Sequence, residues 1–165
     1  MEQMISATEI KNIVISRKNF DLAIIKSSII EAAELDFIKP LLGDKLYDEI
    51  KGQYKVDAVA GDNIALVNNY LKNALAFYTI YLCLPTIMMD ISGIGLQINS
   101  TEFSQSVSSS QRAEMASGIL GLAKTFAKKA TTYLKDQKDL GKFPLYNSAD
   151  NVESTGSIIG GIILE

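Results

Sequence analysis

The 165-residue chain contains no histidine, no tryptophan, a single cysteine (Cys83) and only three prolines. Without an imidazole there is no Ser-His-Asp or Cys-His catalytic pair, no histidine general base and no histidine-containing zinc site, because each needs a group that titrates near neutral pH. One cysteine excludes an internal disulfide and a thiolate metal cluster. Carboxylate, lysine and backbone chemistry remain, so the balance tilts from an enzyme toward a binding or structural protein, with no metal and no cofactor expected. The first residues carry Glu2 and Glu9 and no basic stretch ahead of an apolar run, which does not read as a secretory signal. Long hydrophobic runs are also scarce. Residues 74–89 are uncharged between Lys72 and Asp90, but the run falls short of the ~20 residues a membrane span needs and contains Thr79, Pro85 and Thr86. A buried core helix is the better reading, and no membrane is expected.

What is present suits one mainly helical domain. Hydrophobic residues make up 47% of the chain and charged residues 21%, enough apolar mass to bury a core without disulfides or metal. From Asp21, Leu22, Ile25, Ile29, Ala32 and Ala33 recur at helical steps, predicting an amphipathic helix that weakens before Pro40. Gly43 and Asp44 read as a stop and a new N-cap, launching a second helix through Leu46, Tyr47 and Ile50 to Gly52 and closing a bent hairpin. Asp62 is a candidate cap for a long helix, one-sided at first through Leu66, Tyr70, Ala74 and Phe77, then apolar all round until Pro85 kinks or ends it. Ile94, Leu96 and Ile98 alternate with Gly95, Gln97 and Asn99, the period of a short extended arm. A serine-rich loop over residues 100–110 follows, with Phe103 and Val107 as isolated apolar points. Ser109 or Ser110 caps the last long helix, which runs to Asp139 and stops at Gly141. The expected fold is all-α: a helical bundle with a bent hairpin, two long helices, a short extended arm and two terminal arms. Residues 1–146 form the domain, and residues 147–165 a linker and a β-prone C-terminal arm.

Charge is segregated along the chain. Residues 21–62 hold nine acids and five bases, whereas residues 111–143 hold seven bases and three acids. Opposite faces of this kind orient head-to-tail packing of identical copies, unless both are simply solvated. Lys124, Lys128, Lys135, Lys138 and Lys142 step along one stripe of the last helix, about 120° from its apolar face. Such a stripe contacts phosphates or a neighbouring subunit without reading sequence. No aromatic interleaves with it along the chain, so it offers no stacking platform for single strands. Gly93, Gly95, Gly160 and Gly161 match no phosphate-binding pattern. The carboxylate pairs Asp48 with Glu49 and Glu31 with Glu34 read as helix-surface groups with lysines nearby, not as a catalytic acid pair. The C-terminal arm is the most suggestive local feature. Ile158, Ile159, Ile162, Ile163 and Leu164, split by Gly160 and Gly161, cannot fold alone and suit strand addition to a neighbour, with Ile94, Leu96 and Ile98 as a candidate recipient.

One stretch carries a resemblance. The run from Ile29 to Glu49, IIEAAELDFIKPLLGDKLYDE, resembles the helical hairpin of small tailed-phage head–tail connector proteins. The similarity continues through Ala74, Leu75, Ala76, Phe77 and Tyr78, Leu84 and Pro85, Ile94 and Gly95, Tyr133 and Leu134, and Phe143 to Tyr146. It is strongest toward connectors of phages of gut Bacteroidetes, crAss-like phages among them. The serine-rich loop and the C-terminal arm have no counterpart in that pattern. The resemblance implies a non-enzymatic virion structural protein made in the host cytoplasm and placed at the head–tail junction. It implies a closed ring of roughly twelve copies beneath the portal protein, touching the tail or a further adaptor ring, with genomic DNA passing non-specifically through the channel. The alternative from the residues alone is a soluble helical DNA-binding or regulatory protein using the Lys124 to Lys142 stripe.

Removal of residues 157–165 is expected to weaken self-assembly and leave helix content nearly unchanged, as read by light scattering and circular dichroism on the same sample. Loss of the helical signal would place the arm in the core.

Overall fold

Helix α1 (Ala7–Val14) opens on a capping box, in which the Ser6 hydroxyl accepts from the Glu9 amide and the Glu9 carboxylate accepts from the Ser6 amide. The computed structural model describes residues 3–15, 20–56, 58–92, 95–98 and 108–147, with the backbone alone over 88–98. Met4, Ile5 and Ile10 are fully buried, so the N-terminal stretch, expected as an arm, is part of the core. Polar contacts hold it there. The Met4 amide donates to Glu34 Oε1 at 2.8 Å, and Lys72 Nζ lies 2.7 Å from Glu9 Oε1.

The first half of the expected hairpin differs in detail. Asp21 does not open a long helix; its Oδ1 accepts from the Ala23 amide at 2.9 Å and closes one 3-10 turn over Leu22–Ile24. Helix α2 (Ser27–Ala33) follows, and the helical path then passes through Pro40 instead of weakening before it. A π turn over Glu34–Ile38 makes this possible. The Lys39 amide bonds back to the Glu34 carbonyl across the wider turn, so the ladder is already shifted where proline has no N–H to offer. Helix α3 (Lys39–Leu42) ends at Gly43, whose φ of 77° favours glycine, and α4 (Asp44–Lys55) starts immediately and runs past Gly52. Gly43 occupies the cap position, while the Asp44 carboxylate lies 3.3 Å from Lys39 Nζ.

The second long segment is continuous: α5 (Asp62–Leu66), a second π turn (Val67–Leu71) and α6 (Lys72–Met88). Its cap is Gly61, not Asp62. Pro85 does not end α6, because it sits one turn from the C-terminus where only one backbone hydrogen bond is lost. Beyond it the backbone of β1 (Met89–Ser92) pairs antiparallel with β2 (Gly95–Ile98), Met89 facing Ile98 in register. Helix α7 (Ser109–Asp139) begins on a capping box from Ser108 to Gln111, one residue earlier than its serine run suggests.

The fold is an all-α bundle with α6 at its centre. Helices α6 and α7 run antiparallel, pinned by Tyr70 stacked on Tyr133 with ring centroids 4.2 Å apart and Phe77 on Phe126 at 5.4 Å. The two ring pairs are two helical turns apart on both helices, which locks the register. Buried Ala123, Ala127 and Ala130 on α7 face this seam, small enough for a close approach. On another side of α6, Phe37 stacks on Tyr78 at 4.0 Å and ties in the hairpin. Among the described residues no helix is long and apolar enough to cross a membrane.

Glu34→Ala is expected to cost about 3 kcal/mol, since it takes from the Met4 amide its acceptor and breaks the buried ion pair with Lys51. Urea denaturation of both chains measures it.

Candidate interaction surfaces

Helix α7 spans about 46 Å from its 31 residues. Ala123, Ala127, Ala130 and Leu134 bury one side, and the arc left outside carries Lys124, Lys128, Lys135 and Lys138, each exposed; Lys142, expected on the same stripe, lies beyond the end of α7 because the chain turns at Gly141. Two of them are engaged within the chain. Lys142 Nζ lies 3.0 Å from Asp62 Oδ1, and Lys138 Nζ stands 5.7 Å from the centre of the Tyr146 ring. Lys124, Lys128 and Lys135 form no ion pair among the described residues.

An open groove of about 400 Å³ runs beside the stripe, lined by Tyr70 together with Lys128, Lys129, Thr132, Tyr133 and Asp136 of α7. This corrects the linear reading of the stripe as having no aromatic neighbour. Tyr70 is contributed by the distant π turn, and its stack on Tyr133 brings two rings to the edge of the lysines. Both rings already partner each other, and around them the groove sets the Asp136 carboxylate among ammonium and hydroxyl groups.

The opposite charge gathers on the hairpin. Glu31, Asp36 and Asp48 are exposed and form no ion pair among the described residues, and Leu35 stands 45% exposed beside them. Burial first, then the charges of Glu34, Glu31 and Asp48, push the Tyr47 phenol far above its usual value. Glu34 is not the surface group expected of it. Its carboxylate is fully buried and accepts from the Met4 amide, from Lys51 Nζ at 2.6 Å and from the Tyr47 hydroxyl at 3.5 Å. Glu31 and Glu34 therefore lie on different sides of the helix and make no acid pair. Glu9 is drawn two ways, with burial raising its carboxyl and the hydrogen bonds from Lys72 and Ser6 lowering it to a net value below the usual range.

Several residues singled out in the sequence lie outside the described residues: Ile94, Phe103, Ile158, Ile159, Ile162, Ile163 and Leu164. Leu96 and Ile98 are placed in β2 by their backbone. Two exposed apolar groups on α7, Met115 and Leu122, each 48% exposed, were not singled out by the sequence, nor was Leu35. Their signal was the helical wheel, since Met115 and Leu122 sit two turns apart off the buried alanine row.

A family model described as a family of unknown function (DUF6712) matches residues 38–156. The chain belongs to this family. The DUF6712 match takes in α3 to α7, and with them the whole lysine stripe and Asp48, while Glu31, Leu35 and Asp36 precede it. No curated protein and no solved structure matches the chain.

Cys83 is fully buried in α6, its thiol 3.8 Å from the Ile24 carbonyl, and burial pushes it up to about 11. It is expected to resist a thiol reagent such as dithionitrobenzoate at neutral pH in the native chain and to react promptly in denaturant. Fast native labelling would show that the α6 core opens.

Proposed function

We infer that this chain is a non-enzymatic virion structural protein, a head–tail adaptor that assembles as a ring between portal and tail and lets DNA pass through its centre. The observation that carries this reading is the run from Ile29 to Glu49, which resembles the connector hairpin and folds as one unit: α2, the π turn across Pro40, α3, the Gly43 corner and α4. Its physical properties suit a ring subunit. A rigid bundle sets the shape, and exposed charge of opposite sign, outside the ion pairs of the described residues, lies on separate elements, α7 and the hairpin. Closure of a ring then turns many modest contacts into a stable whole, because every subunit is held on two sides.

A second reading rests on the groove, where Lys128 and Lys129 flank the Tyr70 and Tyr133 rings: a soluble DNA-binding or regulatory protein gripping phosphates. Its mark is duplex binding that falls steeply with salt.

Light scattering on the purified chain, alone and mixed with the portal protein of the same phage, tests the adaptor reading. A ring-sized particle alone, or a monomer that reaches ring size on portal, is the expected result. A monomer or dimer indifferent to portal, joined to salt-sensitive duplex binding, favours the second reading.

A further inference from the structure

Among the described residues the outward half of α7 is an exposed helix face. Lys124, Lys128 and Lys135 run along one edge of it, and Met115 and Leu122 along the other, each apolar side chain about half exposed. Lys129 and Thr125 lie between the two edges. The ion pairs of the described residues leave those three lysines untouched: Lys39 is paired with Asp44, Lys51 with Glu34, Lys72 with Glu9 and Lys142 with Asp62. They equally leave out Glu31, Asp36 and Asp48, which are exposed on the same hairpin as the half-exposed Leu35. The α7 face is thus rich in lysine, with Asp136 among the lysines, and the hairpin face rich in carboxylates, with Lys45 among them, so the prevailing signs are opposite and each face carries exposed apolar groups.

We propose that the outward face of α7 docks on the Glu31, Leu35, Asp36 and Asp48 surface of a second copy of this chain. The contact is heterologous, because the two surfaces differ, so it propagates from copy to copy and ends only by closing into a ring. Charge complementarity selects the second copy over other occupants: the same chain carries the matching surface, and opposite potentials steer and register the encounter. The exposed apolar groups add contact area that water leaves on docking. The proposal rests on the ring reading and names the surfaces that build the ring.

Two full-length variants test it. One carries Lys124→Glu, Lys128→Glu and Lys135→Glu, and the other Glu31→Lys, Asp36→Lys and Asp48→Lys, all at exposed positions. Mass is followed by light scattering against concentration, with circular dichroism on each sample. The wild type is expected to grow with concentration and to shrink in about 0.5 M NaCl, where the screening length is about 4 Å. Each variant alone is expected to remain a single chain of 18.0 kDa. Mixed in equal amounts they are expected to recover the wild-type mass, since each reversed surface then meets its new complement. The mixture also controls for folding, because a misfolded variant rescues nothing. Variants that assemble as the wild type does, or a mixture that stays monomeric, overturn the proposal while a wild-type ring leaves the adaptor reading standing. A wild type that is monomeric with and without portal overturns both. Loss of duplex DNA binding by the lysine variant, with its assembled mass unchanged, assigns the stripe to nucleic acid and also overturns the proposal.

Discussion

A helix that is apolar on every side has to be covered on every side, and α6 imposes that demand on this molecule. Ala74, Leu75, Ala76 and Leu84 face different directions and are all buried, so single-sided packing would leave a large apolar strip in water. Its one fully buried hydroxyl, Thr79, donates at 2.8 Å to the Leu75 carbonyl of the same helix and asks nothing of the neighbours. Helix α7 covers one flank through the Tyr70, Tyr133, Phe77 and Phe126 stacks. The hairpin covers another through Phe37 on Tyr78, and α1 packs against a third.

Covering α6 with the hairpin and α1 together buries one charge, and the structure surrounds it with donors. Glu34 begins the π turn that carries the chain across Pro40, and that turn aims its carboxylate inward at the Met4 amide, Lys51 and Tyr47. An unpaired carboxylate in that position would be prohibitive, so the three donors are a condition of the fold. The same contacts recruit the N-terminal residues into the core. A backbone irregularity, a buried ion pair and the docking of a terminal helix are therefore one arrangement.

The elements whose evidence is periodic were legible. The apolar run of α6, the length of α7 to Asp139 and the corner at Gly43 all follow from spacing and from glycine's access to positive φ. Misreadings cluster where a tertiary contact overrides a local rule. Pro40 and Pro85 predict breaks that a π turn and a position near the helix end absorb. Glu34 looks like a surface acid because a carboxylate ordinarily stays in water, yet it follows buried Ile30 by four residues and so lies on the core side of the helix. The N-terminal residues look like an arm because the groups that fix them, Glu34 and Lys72, lie far along the chain.

The interaction surfaces divide in the same way. Charge segregation between residues 21–62 and 111–143 is a property of the sequence, and so is the placing of Lys124, Lys128, Lys135 and Lys138 on one stripe of a helix, because helical geometry maps spacing directly onto a face. Which lysines are engaged was decided only by the tertiary structure, which brings Asp62 to Lys142 and Tyr146 to Lys138 and leaves Lys124, Lys128 and Lys135 outward. So was the meeting of Tyr70 and Tyr133 beside those lysines. The sequence by itself determined the long helices α6 and α7, the charge they carry and the family the chain belongs to, because those depend on local order. Pairing, burial and exposure depend on residues distant in the chain, and only the packing of α6 against its neighbours settled them.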